Sequence, residues 1–304
     1  MRKRFVHLAA PLVVGVLILA ACGSSNSSGG GGSYTLGFTG TLSGDFAQLG
    51  INEANAVKLA VSQANAKGDL GFTLKYSESD DAGDVGTAST AARKLIQDKS
   101  VVAVVGPTFS DPTKTAEPLY SAAGLTSLSP SATSPELTTL GFTTFFRDVP
   151  PDNAQGEQAA AYIARVIKAR TVYSINDKSD FSLLTGALDA QLKKDGVDVT
   201  SEGIAPTKDY GTIAGKVAQA RPDFVYYSGS YSELALLAKA LHSAGYNGPI
   251  GGSDGSKDDK LVKLAGQDAE GIYLTCPCGD PNVDPTGATF AAAYKGIFNV
   301  NPGP

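Results

Sequence analysis

Short apolar runs rich in β-branched and aromatic residues alternate along this chain with longer stretches whose apolar positions recur every three or four residues. "YTLGFT" (34–39) has the first character; "INEANAVKLAVSQANAKG" (51–68) has the second, with Gly68 placed to close a helix. "FTLKYS" (72–77) predicts the next strand, and Asp84 stands where a helix over 84–99 needs an N-cap. "VVAVVG" (101–106) is apolar without interruption, as expected of a parallel strand covered on both faces. "SDPTKTAEPLYSAAG" (110–124) then predicts a helix with Ser110 near its N-cap and Pro112 in its first turn. Strands "LTSLS" (125–129) and "TTFFRDV" (143–149) lead to Pro150-Pro151.

The second half repeats the theme. A helix over 152–169, capped by Asp152, precedes strand 171–176, helix 181–195, strand 197–203 and helix 210–220. Strand 223–229, helix 231–244, strand 249–253, a short helix 258–265 and strand 270–275 follow. Such alternation predicts an α/β fold with parallel sheets and helices on both faces. The strands are too many for one compact sheet, and the break at Pro150-Pro151 divides them into two Rossmann-like lobes joined by a hinge. One lobe takes 34–150 plus 277–304, the other 151–276. An internal echo supports the division: "VVAVVGPTFS…AAGLTSLSPS" and "DFVYYSGSYS…SAGYNGPIGGS" share the order strand, small-residue turn, helix, strand, Ser. Ligands of open parallel sheets sit beyond the carboxyl ends of the strands, so two such edges would face each other across a cleft.

The N-terminus sets the compartment. Arg2, Lys3 and Arg4 precede an apolar stretch from Leu8 to Ala21, too short to span a bilayer but suited to a signal peptide over 1–21. Leu19-Ala20-Ala21-Cys22 resembles the lipobox of bacterial lipoproteins, which implies that Cys22 is acylated and anchors the chain to the membrane. "GSSNSSGGGGS" within 22–33 is a flexible Gly/Ser tether. The expected place is therefore extracytoplasmic, on the periplasmic side or the cell surface. The formal net charge of −5 includes the three basic residues of the leader, so no basic patch argues for nucleic acid. Cys276 and Cys278 enclose one Pro with no His nearby, which predicts a local disulfide or two thiols rather than a metal site.

The stretch "SPSATSPEL" (129–137) concentrates hydroxyls where a buried strand ends. They would be either nucleophiles or ligand-holding groups. A nucleophilic Ser needs a base, and the chain has two His: His7 lies in the leader and His242 in the last turn of a predicted helix, where it suits the helix dipole. No G-x-S-x-G elbow or phosphate-loop glycine pattern occurs, and "DGSKDDK" (254–260) departs from a calcium loop. Catalysis, cofactors and metals are thus not expected. Holding remains: Ser110, Ser131 and Thr133 at first-lobe strand ends suit a carboxylate, Asp254 on the facing lobe suits an ammonium, and Phe109, Phe181 and Tyr231 could wall an apolar side chain.

From Tyr34 to about Asp280 the chain resembles the branched-chain amino-acid (leucine/isoleucine/valine) binding proteins of bacterial ABC importers, a type I periplasmic-binding-protein fold. The matching stretches are "GTLSGDFAQLG" (40–50), "VVGPTFS" (104–110), "SPSATSPEL" (129–137), "DFVYYSG" (223–229) and "GGSDG" (251–255). The resemblance implies that Ser110 bonds the ligand carboxylate by hydroxyl and amide, that the Ser131 carbonyl accepts from the ammonium, and that Thr133 touches the head group. Asp254 stands where a Glu is usual. The aromatic wall is altered: Leu49 and Phe181 stand at Tyr positions, and Ser230-Tyr231 shifts an aromatic by one. Gly83 and Phe109 occupy the places of a Cys pair common in the relatives. Those relatives continue beyond the position of Pro304, so a truncated product or fragment is expected. The implied function is capture of an amino acid by a monomeric lipoprotein for delivery to ABC permease subunits, the hinge running near Arg147–Asp152 and Thr275–Asp280. A small amide, urea or aromatic acid in the same fold, or a sensor that signals to a kinase, are the alternatives.

Overall fold

The structure is a computed structural model, and it describes residues 31–178, 182–205 and 207–303. The first sheet is built from β1 (Ser33–Gly40), β2 (Thr73–Asp80), β3 (Val101–Val105), β4 (Thr126–Ser129) and β5 (Phe145–Arg147), in the order β2-β1-β3-β4-β5. The second uses β6 (Thr171–Asn176), β7 (Asp198–Gly203), β8 (Phe224–Ser228), β9 (Ile250–Gly252) and β10 (Tyr273–Leu274), in the order β10-β9-β8-β6-β7. Every pairing is parallel. Counted from its own first strand, each sheet follows the same plan, second-first-third-fourth-fifth, which accounts for the echo between the two halves.

Helices cover both faces, and the strand residues show which. In β8, Phe224 and Tyr226 pack towards α4 (Asp152–Tyr162) and α5 (Ser182–Lys194). Val225 and Tyr227 point the opposite way, into a core closed by α6 (Gly211–Ala220), α7 (Tyr231–Ser243) and α8 (Asp259–Ala265). Alternation of successive side chains therefore builds two cores from one strand. The first lobe does the same. Phe38 packs under α1 (Ala47–Lys67), while Val101 and Val104 pack under α2 (Val85–Gln97) and α3 (Ser110–Ala122). A last helix, α9 (Ala288–Phe298), returns to α1, where Tyr294 hydrogen-bonds Asn55 at 3.3 Å.

Local signals account for several element ends. Asp84 caps α2, its carboxylate accepting from the Gly86 and Thr87 amides, and Gly68 closes α1 in the left-handed region at φ 70°. Gly106 ends β3 at φ 102°, where a Cβ would meet the Thr39 carbonyl, so only glycine fits this approach to β1.

Four features differ from the sequence expectation. Asp152 does not cap its helix: Pro151 holds the N-cap position and Asp152 begins the helix with a buried side chain. The predicted helix 152–169 is α-helical to Tyr162 and finishes in a wider turn over Ile163–Ile167 that ends at Lys168, φ 62°. His242 pairs with a side chain, its Nδ1 2.6 Å from Asp268 Oδ1. Helix α9 has no counterpart among the predicted elements, because Ala-rich "ATFAAAYKGIF" offers little contrast between its faces. Among the described residues no helix is long and apolar enough to cross a membrane; the leader, Cys22 and most of the tether lie outside them.

Candidate ligand-binding site

The turns that leave β3 and β4 are tied to each other before they meet any ligand. Ser129 Oγ donates to the Pro107 carbonyl at 2.7 Å, and Ser131 Oγ donates to the Thr108 carbonyl at 2.7 Å. The Ser134 amide donates to Ser110 Oγ at 3.0 Å. The Ser129 and Ser131 hydroxyls of the "SPSATSPEL" stretch are thus structural cross-ties. Ser110, on the neighbouring turn, differs: its oxygen accepts from the Ser134 amide, and its hydroxyl hydrogen has no acceptor among the described residues. It is also the first residue of α3, where backbone N–H groups lack intrahelical partners and favour an anion.

A cavity of about 410 Å³ opens beside this cradle, in the range of small-molecule sites. Six of the residues singled out from sequence line it: Leu49, Phe109, Ser110, Ser131 and Thr133 from the first lobe and Asp254 from the second. Phe109 is braced edge-on by Phe46, ring centroids 6.0 Å apart, and Leu49 packs against the core of the second lobe. Most of the remaining wall is apolar, including Val57, Val105, Val149 and Phe290.

Two expected residues are used elsewhere. Ser230 caps α7, accepting from the Glu233 amide at 3.4 Å and donating to Glu233 Oε2 at 3.1 Å. Tyr231 is buried, and its hydroxyl donates to the Asp45 carbonyl of the first lobe at 2.8 Å. Neither lines the cavity, since the start of α7 turns both side chains into packing and capping contacts. Phe181, like Cys22, lies outside the described residues.

Asp254 follows β9 at the cavity wall. Burial, reinforced by the like charge of Asp152, raises its carboxyl to about 6, while a hydrogen bond from Gln155 pulls the other way. Asp152 is raised as well, by burial, against hydrogen bonding from Thr133 and the charges of Arg147 and Lys114. The Asp152 amide donates to the Thr133 carbonyl at 2.9 Å, which ties the start of α4 to the loop that follows β4.

Sequence reasoning missed a second acid. Glu53 of α1 lines the cavity, accepts from Thr108 Oγ1 at 2.8 Å and lies against the Ser131 hydroxyl; burial pushes its carboxyl up to about 7. Asn52 beside it donates to Asp258 Oδ2 of the second lobe at 3.1 Å. The signal was helical phase: Leu49, Asn52, Glu53 and Ala56 fall on one face once α1 is started at Ala47. Tyr294 of α9 and the Cys276–Cys278 bridge complete the wall, so the two thiols that sequence left open are joined. Among the described residues no group of three or more His, Cys, Asp or Glu is placed to hold a metal ion.

The family described as "Periplasmic binding protein" matches residues 33–304. The Leu/Ile/Val/Thr-binding protein of Salmonella typhimurium is 32% identical over 283 residues, covering 87% of this chain and 77% of the relative. The Leu/Ile/Val-binding protein of Escherichia coli K12 is 31% identical with the same coverage. Among solved structures, the branched-chain amino acid transporter substrate binding protein LivJ of Streptococcus pneumoniae, in complex with isoleucine, superposes with a TM-score of 0.82 at 25% identity. It covers 89% of this chain and 79% of that one. The leucine binding protein LivK of Thermotoga maritima gives a TM-score of 0.80 at 21% identity, with coverage of 89% and 77%.

Proposed function

The chain belongs to the periplasmic binding protein family, and on that premise we propose that it captures an amino acid, branched-chain or similarly apolar, outside the cytoplasm and delivers it to the permease of an ABC importer. The observation that carries this reading is the pairing of Ser110 and Thr133 on one lobe with Asp254 on the other, across a single cavity with mainly apolar walls. The free hydroxyl hydrogen of Ser110 and the start of α3 suit a carboxylate; Asp254 suits an ammonium; Leu49, Phe109 and the outlying Phe181 suit an aliphatic side chain. Charge-assisted bonds in such a site orient the head group.

The lobes divide as 34–150 plus 277–304 and 151–276, and the hinge runs through the chain crossings near 147–152 and 275–280. Because the ligand touches both lobes, its differential contacts favour the closed form. Ser230 and Tyr231 act at one remove, the cap holding the helix start from which Tyr231 bridges to Asp45. Residues 1–21 direct export, Cys22 carries the lipid and 22–33 form the leash; the binding domain works as a monomer, its partners being the permease subunits. Binding rather than catalysis is the role of the site.

Glu53 keeps a small amide in view as a second reading, since a carboxyl that holds its proton near neutrality can both donate and accept. A thermal-shift panel of L-amino acids, small amides and aromatic acids separates the two. A ligand that binds only the folded form raises Tm with concentration. Shifts with L-leucine, L-isoleucine or L-valine are expected; shifts confined to compounds without an ammonium would overturn the amino-acid reading.

A further inference from the structure

Asp254 is oriented by a residue far from it in sequence. Gln155, in the first turn of α4 and only 6% exposed, donates through Nε2 to Asp254 Oδ1 at 3.2 Å. The same nitrogen lies 3.2 Å from the Thr275 carbonyl and 3.2 Å from Thr275 Oγ1. Tyr226 fixes that hydroxyl in turn, its own oxygen 2.7 Å from Thr275 Oγ1. All three neighbours of Nε2 can accept, two of them only accept, and a flipped amide would set oxygen against carboxylate and carbonyl. The amide orientation is therefore determined by its surroundings.

One turn of helix thus reaches both halves of the head-group site. Asp152 holds the Thr133 loop through its backbone amide, and Gln155 holds Asp254. Thr275 immediately precedes the Cys276–Cys278 bridge on the second hinge crossing, so the acid is fastened to a segment that must rotate when the lobes close. The charged and titratable groups facing Asp254 are Asp152, of the same sign, and the buried Tyr226 phenol. Among the described residues no ion pair offers it a cation, and its other donors are the backbone amides of Asp254 and Gly255.

We propose that Gln155 is a positioning residue of the binding site, its amide fixing the Asp254 carboxylate to the hinge residue Thr275 so that the acid meets the ligand ammonium as the lobes close. The inference rests on the reading of Asp254 as the ammonium's partner. Loss of a hydrogen bond to a charged group, with the acid left beside Asp152, weakens amino-acid binding about tenfold or more.

The test is calorimetric titration of the wild-type protein and the variants Gln155→Met, Gln155→Glu and Asp254→Asn with L-leucine, L-isoleucine and L-valine between pH 5 and pH 9. Gln155→Met removes the donor at nearly constant volume. Its affinity should fall about tenfold or more, and the decline on acidification should begin at a higher pH than in the wild type, because the amide no longer favours ionised Asp254. Gln155→Glu should bind worst at high pH, where two carboxylates repel, and recover as the pH falls. A loss that is equal at every pH in both variants means a merely structural role and overturns the proposal, as does wild-type binding by Gln155→Met. If Gln155→Met fails to melt cooperatively, the pH profile of the isosteric Gln155→Glu decides. Asp254→Asn separates the two levels. Its retention of affinity, or a wild-type protein that binds none of the three amino acids, defeats the underlying reading; its loss beside an unaffected Gln155→Met defeats only the positioning role.

Discussion

The Tyr231 hydroxyl, on the first residue of α7 in the second lobe, donates to the Asp45 carbonyl of the first lobe at 2.8 Å. This bond spans the lobes without touching the cavity, and it exists only while they are together. Tyr231→Phe should leave each lobe folded and weaken binding about fivefold, the equivalent of a neutral hydrogen bond near 1 kcal/mol, chiefly through faster dissociation. Stopped-flow release of a bound amino acid measures this; an unchanged dissociation rate would show that the contact does not hold the closed form.

Gly50 lies on the inner face of α1, where an added Cβ would come 2.2 Å from the Thr41 carbonyl. The helix must then lift from the end of β1, carrying Asn52 and Glu53 with it. Gly50→Ala should cost about 1–3 kcal/mol in urea unfolding and weaken ligand binding as well. A variant as stable as the wild type would mean that α1 has slack the structure does not show.

Asp84 supplies both side-chain bonds at the start of α2. Asp84→Ala should destabilise the first lobe by about 1 kcal/mol while leaving affinity for ligand unchanged, because the cap is remote from the cavity lining. Urea unfolding and calorimetry on the same sample check the two halves of this statement.

Glu117 is buried between α3 and β4, where Ser127 Oγ donates to it at 2.6 Å and burial raises its carboxyl from 4.5 to about 7. Between those values the folded state keeps a proton that the unfolded chain has lost. Stability therefore falls as pH rises through this window and levels off above about 7, by up to about 1.4 kcal/mol per unit of difference. Glu117→Gln keeps an acceptor for Ser127 and should reduce the slope, with the other buried carboxyls raised in the same sense, Glu53, Asp81 and Asp254 among them, supplying what remains. Urea unfolding at pH 5 and pH 8 reads the difference; an undiminished slope in the variant would place the titration elsewhere.

How far the chain could be read without its structure follows from the range over which each feature is determined. Strands such as 101–106 and 223–229 are local patterns, and their sequence determines them before any packing is known. The gathering of Ser110, Ser131, Thr133 and Asp254 on one cavity also follows from a general rule, since all four lie just beyond strand carboxyl ends. Asn52 and Glu53 lay within the predicted helix, but which of its faces meets the cavity is set by packing; Leu49, which shares that face, fell outside the prediction because "SGDFAQ" has the composition of a turn although α1 begins within it at Ala47. Ser230 and Tyr231 depend on the geometry of a helix start: a cap and a cross-lobe bond cannot be told from a ligand contact by spacing alone. Gln155 stands 99 residues from Asp254, and no pattern in the chain links them.

The clamp between Ser110 and Asp254 is tested most directly by titrating L-leucine, L-isoleucine and L-valine into wild-type protein and Asp254→Asn at neutral pH. If Asp254 pairs with the ligand ammonium, removing this second-lobe acid of the cavity wall leaves a buried charge without its partner, worth about 3 kcal/mol or more. The expected result is one-to-one binding of at least one of the three by the wild type and a loss of a hundredfold or more in the variant, with its Tm otherwise preserved. Equal affinities in the two proteins would contradict it.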